Sequence, residues 1–159
     1  MTSVLGVLLP PRANNDFRGG RIALVGFCLL LAQQTFSATV HFLTPDGGKQ
    51  KIAGIVTFSG DPDPDRVIHM FASIAGSHEM LFMLLYGIVL WRYRNLIPLS
   101  MALMLAHWAL GFVMTMMRPL TPEYFEHTPP ALIVRLPMLL VISVLLATSI
   151  VTSRRSEGA

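Results

Sequence analysis

The stretch 67-VIHMFASIAGSHEMLFMLLYGIVLW-91 decides the fold. Between Val67 and Trp91 it carries one formally charged side chain, Glu79. About 20 consecutive apolar residues are enough for a helix to cross roughly 30 Å of hydrocarbon, and this run is longer. In that medium every backbone N–H and C=O needs an internal partner, so a lone crossing segment has to be helical. Three further runs have the same character: Ile22 to Leu43, Leu96 to Met117, and Ala131 to Thr152, the last holding only Arg135. The sequence therefore predicts an all-α integral membrane protein, an antiparallel four-transmembrane-helix bundle. It forms a single domain over residues 1–159, with spans at 22–43, 67–91, 96–117 and 131–152.

Composition agrees with that reading. Of 159 residues, 53% are apolar and 13% charged, with a mean hydropathy of +0.58. These values exclude a disordered chain and argue against a soluble globule. The net charge of +3 comes from 12 Lys and Arg residues scattered at the edges of the apolar runs. A nucleic-acid partner needs such charges gathered in one patch, so the bilayer is the expected partner and nucleic acid is not. Cys28 is alone and lies in an apolar run, so no intramolecular disulfide can form.

Charge also sets the expected orientation. One face receives Arg12, Arg18, Arg21, Arg92, Arg94, Arg154 and Arg155, against Lys49, Lys51, Arg66, Arg118 and Arg135 on the other. The acidic residues Asp46, Asp61, Asp63, Asp65, Glu123 and Glu126 fall on the second face. The Lys/Arg excess puts both termini in the cytoplasm, with segment 1–20 and tail 153–159 there. Val4 to Leu9 has no basic region before it and is a poor secretory signal, so the first span is expected to stay in the chain. The pattern of spans resembles that of small four-helix bacterial membrane proteins, which implies a bacterial inner (cell) membrane and carries no residue roles.

Local signals mark the ends. Asp63 before Pro64 and Thr128 before Pro129 suit N-caps with proline at the first helical position, and Asn95 can cap the third span. Pro137, inside the fourth span, predicts a kink there by freeing the carbonyl of Ile133. In the longest connection, Pro45-Asp46-Gly47-Gly48 signals a turn, and the β-branched and aromatic run Ile52 to Phe58 predicts a short β-hairpin in the first extracytoplasmic loop. Ala72, Ala75, Gly76, Ala102, Ala106 and Gly111 suggest close packing of spans two and three.

Polar groups within the spans are the candidate site. Counted from Arg66, His78 and Glu79 lie roughly 18 to 20 Å deep. His107 lies about 15 Å deep counted from Met117, and Gln33 and Gln34 sit halfway along the first span. An ionisable residue inside a span is costly enough to imply function. Several readings of the His78, Glu79, His107, Gln33 and Gln34 cluster stay open. It can be a hydrogen-bond network that fixes helix register, or His78 and His107 can be the two axial ligands of a haem b. His78, Glu79 and His107 can also form an N/N/O metal set or a proton relay in a small transporter. A second set, His41, His69, Arg118 and Arg135, lies near the outer interface and suits an anionic headgroup or carboxylate.

The ten methionines read as packing rather than copper ligands. The Asp61-Pro62-Asp63-Pro64-Asp65 run lacks the glycine and distal glutamate of a calcium loop. No Gly-x-Ser-x-Gly, phosphate-cradling glycine loop or His-Glu-x-x-His is present. The leading functional expectation is thus an accessory or scaffold subunit, working with a larger membrane complex or as a homo-oligomer. A redox protein or enzyme using the histidines, and a proton-coupled transporter, are the alternatives.

Overall fold

A computed structural model describes residues 3–156. Its helices are α1 (Val4–Leu8), α2 (Arg21–Leu43), α3 (Asp65–Arg92), α4 (Ile97–Met117) and α5 (Pro130–Ser156). Four of them, α2 to α5, are long and apolar enough to cross a membrane. Their bounds fall within a few residues of the apolar runs, because each run ends where polar or proline residues begin. The C-terminal boundary differs most: Ser153–Ser156, expected in the tail, continue α5, and the rest of the tail, 157–159, lies outside the described residues. Helix α5 also runs unbroken past Pro137.

Helix α2 packs most extensively against α3, and α4 against α5, with α2 also touching α5. The consecutive helices α3 and α4 touch far less. The core is concentrated toward the turn that joins them: Phe27 and Ile97 are fully buried, and the Phe27 and Tyr86 rings meet edge-on at 6.3 Å. The outward surfaces of the long helices are apolar. Leu29, Phe36 and Leu140 are each at least 65% exposed, and only 6% of the most apolar window of α5 is buried.

Small residues of α3 serve α2, not α4. A Cβ on Gly76 would lie 2.6 Å from the Phe42 nitrogen and 2.7 Å from the His41 carbonyl carbon, so the two backbones meet at this point. Gly111, by contrast, has nothing within 4 Å of where its Cβ would be. The expectation that small residues join spans two and three is therefore corrected at Gly76, which sets the separation of spans one and two. The Gly76 contact also fixes relative height. The residues of α3 that precede it, beginning at Asp65, carry that helix about 15 Å past the end of α2.

Loop 44–64 fills the space beside this overhang. Gly47 and Gly48 have φ of 57° and 70°, the left-handed region open to glycine, and a Cβ on Gly47 would strike the Ala72 methyl. Asp46 closes the turn by accepting the N–H groups of Gly48, Gln50 and Lys51 at 3.1, 3.2 and 3.0 Å. Burial pushes the Asp46 carboxyl up, but these amide donors together outweigh it and hold it below its ordinary 3.8. Asp65, at the start of α3, accepts from Gln50 Nε2 at 2.9 Å and from the Phe58 amide at 3.3 Å. Asp63 Oδ1 accepts the Asp65 N–H at 3.0 Å, but the helix begins one residue later than expected, with Pro64 rather than Asp63 at the N-cap.

The hairpin does not form, and the described residues contain no strand. Residues 44–53 are spent in turns, which leaves Ile55 to pair across the molecule. A single antiparallel bridge joins it to Phe125 in the α4–α5 connection, through Val56 N–H to Tyr124 O at 3.1 Å and Glu126 N–H to Gly54 O at 2.7 Å. On the opposite face Asn95 does not cap α4. Its Oδ1 accepts the Asn14 N–H and its Nδ2 donates to the Arg12 carbonyl, both at 2.8 Å, which straps the N-terminal segment to the α3–α4 turn. A Cβ on Gly20 would lie 3.2 Å from Thr152 Cγ2, and the Ser156 hydroxyl, which donates to the Thr152 carbonyl at 2.7 Å, lies 3.4 Å from the Arg18 carbonyl, so the N-terminal segment, this turn and the end of α5 share one face.

Candidate functional site

The seam that α3 presents to α2 and the loop runs through Asp65, His69, Ala72, Gly76, Glu79, Met83 and Tyr86, at alternating spacings of four and three. That is the helical repeat which keeps one stripe facing a neighbour. Glu79 lies on it three residues beyond Gly76, about one turn beneath the end of α2. Counted from Arg66 it lies deeper than counted from the end of α2, since the first turns of α3 overhang α2.

His41 Nδ1 stands 3.5 Å from Glu79 Oε2. The spacing suits an ion pair with a protonated imidazole, but Glu79 Oε2 is buried and has no hydrogen-bond partner. From the loop above, half-buried Lys49 also feels the Glu79 carboxylate. Burial pushes the Lys49 amine below its ordinary 10.5, and the charge of Glu79 pulls it partly back. The loop turn that brings Lys49 here is held over His41, since a Cβ on Gly48 would sit 2.9 Å from Val40 Cγ1 and 3.7 Å from His41 Cδ2.

Below Glu79, the sparse contact between α3 and α4 leaves a cavity of about 330 Å³. Gln34 from α2 reaches it, Glu79, Phe82 and Tyr86 line it from α3, and Leu103 and His107 from α4. Counting up from the α3–α4 turn, His107 and Phe82 stand at the same height, about 15 Å, with Glu79 about 5 Å higher. Gln34 is 7% exposed, whereas Phe82, Leu103 and Leu110 are 44–68% exposed. The mouth therefore opens sideways, through the flank of the bundle.

Comparisons decide nothing further about identity. No match emerges: no family model, no characterised protein and no solved structure is similar to this chain.

Of the midplane candidates, the structure brings Gln34, Glu79 and His107 to one cavity. Gln33 and His78 are exposed and line none of it. Adjacent helical positions diverge by about 100°, and here it is Glu79 rather than His78 that turns inward. The two imidazoles of the haem reading, His78 and His107, thus face different surroundings. Among the described residues no group of three His, Cys, Asp or Glu side chains is placed to hold a metal ion.

The outer set is divided as well. His41 joins Glu79, while His69, on the overhang of α3, has a buried Nε2 without a hydrogen-bond partner. Arg135 instead donates to the Thr115 hydroxyl on α4, and Arg118 is exposed at the C-cap of α4. Lys49 is the residue that sequence reasoning missed. Its one signal was position, directly after a Pro-Asp-Gly-Gly turn that could fold back on the bundle.

Proposed function

We propose that this chain is a small integral membrane protein of the bacterial cell membrane, with both termini in the cytoplasm. It serves as a non-catalytic accessory component that holds a bilayer-borne amphiphile in the α3–α4 cavity. The orientation rests on the Lys/Arg excess of the face that carries the N-terminal segment and the α3–α4 turn. The observation that carries the binding reading is the sideways cavity of about 330 Å³, whose polar lining is Glu79, Gln34 and His107, with the Glu79 Oε2 behind it lacking a hydrogen-bond partner. Small-molecule sites combine mostly apolar walls with a few convergent polar groups, and a buried acceptor left unmade is costly. His41 and Lys49 already lie close enough to offset the Glu79 charge. The fitting head is accordingly a neutral hydrogen-bond donor, a hydroxyl or amide N–H, with Gln34 and His107 available beside it.

The test is extraction of small molecules from protein purified in nanodiscs of native lipid, followed by mass spectrometry. A neutral amphiphile in near-stoichiometric amount is expected from the wild type and lost from both Glu79→Ala and the cavity-filling Ala106→Trp. Recovery of bulk lipid alone, in the proportions of empty discs, rejects the reading.

The Lys49, Glu79 and His41 grouping favours a second reading, proton-coupled movement of the bound molecule, because it connects the cavity to the outer loop through groups that can change charge. In vesicles, Glu79→Gln then abolishes uptake driven by a pH gradient. Uptake equal to that of the wild type excludes it.

A further inference from the structure

The strongest feature outside the cavity is Arg135. It lies half-buried five residues into α5, about 7.5 Å from the helix start. One terminal nitrogen donates to Thr115 Oγ1, and the Thr115 hydroxyl donates in turn to the Gly111 carbonyl at 3.0 Å, so the guanidinium is held in place against α4. A guanidinium carries five N–H donors, and Thr115 takes one of them. Three residues past Thr115, at the C-cap of α4, stands Arg118. Among the described residues the ion pairs are Arg18 with Asp16, His41 with Glu79, and Arg66 with Asp63. Neither Arg118 nor Arg135 has a carboxylate partner there. Glu123 and Glu126 lie in the adjoining connection, but Glu126 is tied by its amide to Gly54 in the other loop.

We propose that the outer end of the α4–α5 pair binds the phosphate of an anionic lipid headgroup, with Arg135 as the fixed donor and Arg118 as the second cation. A partly buried cation near the hydrocarbon boundary needs a counter-charge, and a guanidinium fork matches phosphate geometry through paired N–H bonds. The neighbours of Arg135 choose the source of that phosphate. Ile133 and Leu136 are 65% and 63% exposed, an apolar flank suited to acyl chains. His41 and His69 take no part, since both belong to the α2–α3 side beneath the loop. The inference needs the insertion proposed above but is independent of what the α3–α4 cavity holds.

The experiment reconstitutes the full chain in nanodiscs of mixed phosphatidylcholine and phosphatidylglycerol and counts the lipids retained on the protein by native mass spectrometry. The wild type is expected to retain phosphatidylglycerol about tenfold over its share of the mixture. Arg135→Gln brings retention down to that share, and Arg135→Lys, which keeps the charge without the fork, falls between. Thr115→Val lowers retention by releasing the guanidinium. Helical content by circular dichroism identifies any variant that has unfolded. Failure of the wild type to enter discs overturns the membrane reading itself. Entry without preference for the anionic lipid, or unchanged preference in both folded Arg135 variants, overturns this site. Displacement of the retained lipid by inorganic phosphate overturns the assignment to a lipid headgroup.

Discussion

Replacing Gly76 by alanine tests how the bundle is set. The new Cβ would lie 2.6 Å from the Phe42 nitrogen, 2.7 Å from the His41 carbonyl carbon and 2.9 Å from His41 Cβ. Two of these are backbone atoms that cannot rotate away. Ordinary contact begins at 3.4 Å, so α2 and α3 have to part by about 0.8 Å at this level. Overpacking of this kind costs about 1–3 kcal/mol. Alanine returns roughly 0.5–1 kcal/mol of helix propensity over glycine, which leaves a net loss of about 0.5–2 kcal/mol. Gly87→Ala and Gly111→Ala are the controls. Neither has anything within 4 Å of the added methyl, so the propensity gain stands alone and each is neutral or stabilised. Equilibrium unfolding in mixed detergent and dodecyl sulfate micelles reads all three. If Gly76→Ala is as stable as the wild type, or Gly111→Ala loses as much, the close approach of α2 and α3 is not what sets the bundle.

Three further outcomes follow from the loop and the strap. Asp46→Ala removes a charged acceptor from three amides and loosens the loop by about 2–3 kcal/mol, seen as faster deuterium uptake at Gly48, Gln50 and Lys51. Because the Asp46 carboxyl is held below its ordinary value of 3.8 in the folded chain, its contribution is fully present above that value. It is lost as pH falls through the lowered one, so the same amides lose protection in acid, and uptake independent of pH below 3.8 contradicts the bonding. Lys49 also has a lowered folded value, below 10.5, but here the charged form is the disfavoured one, so its burial penalty is present at neutral pH and is relieved as pH rises toward 10.5. Glu79→Gln removes the opposing pull and lowers the Lys49 value further, so acylation of the amine at mildly alkaline pH speeds up; an unchanged rate separates the two residues. Asn95→Ala breaks both side-chain bonds to the N-terminal segment and leaves the Asn95 N–H bond to the Asn14 carbonyl, costs about 1–2 kcal/mol locally, and exposes Arg12 to trypsin sooner than Arg92; equal timing in mutant and wild type refutes the strap.

The four long helices were legible because an apolar run and its polar ends are local properties of the chain. Relative height was not. Measuring Glu79 from Arg66 assumed that every helix begins at the same level, whereas Gly76 meets His41 and Phe42 and leaves the first turns of α3 standing past α2. That contact joins residues far apart in sequence, and no periodicity records it. The inward turn of Glu79 rather than His78 has the same origin, since the apolar composition of α3 surrounds both residues equally. Ile52 to Phe58 has the composition of a strand, yet Ile55 finds its partner at Phe125, in a different loop. Asn95 looked like a cap because caps are the commonest local use of asparagine beside a helix, but its partners are Arg12 and Asn14.

The strap has a consequence for the order of assembly. Asn14 and Asn95 are 81 residues apart in the chain. At synthesis rates of about 5–20 residues per second, the first waits roughly 4–16 s for the second to leave the ribosome. Helices α2 and α3 can meet during that interval, while the leading end stays untied. Fastening of the leading end is therefore a late event in biogenesis, completed only after most of the polypeptide has been made.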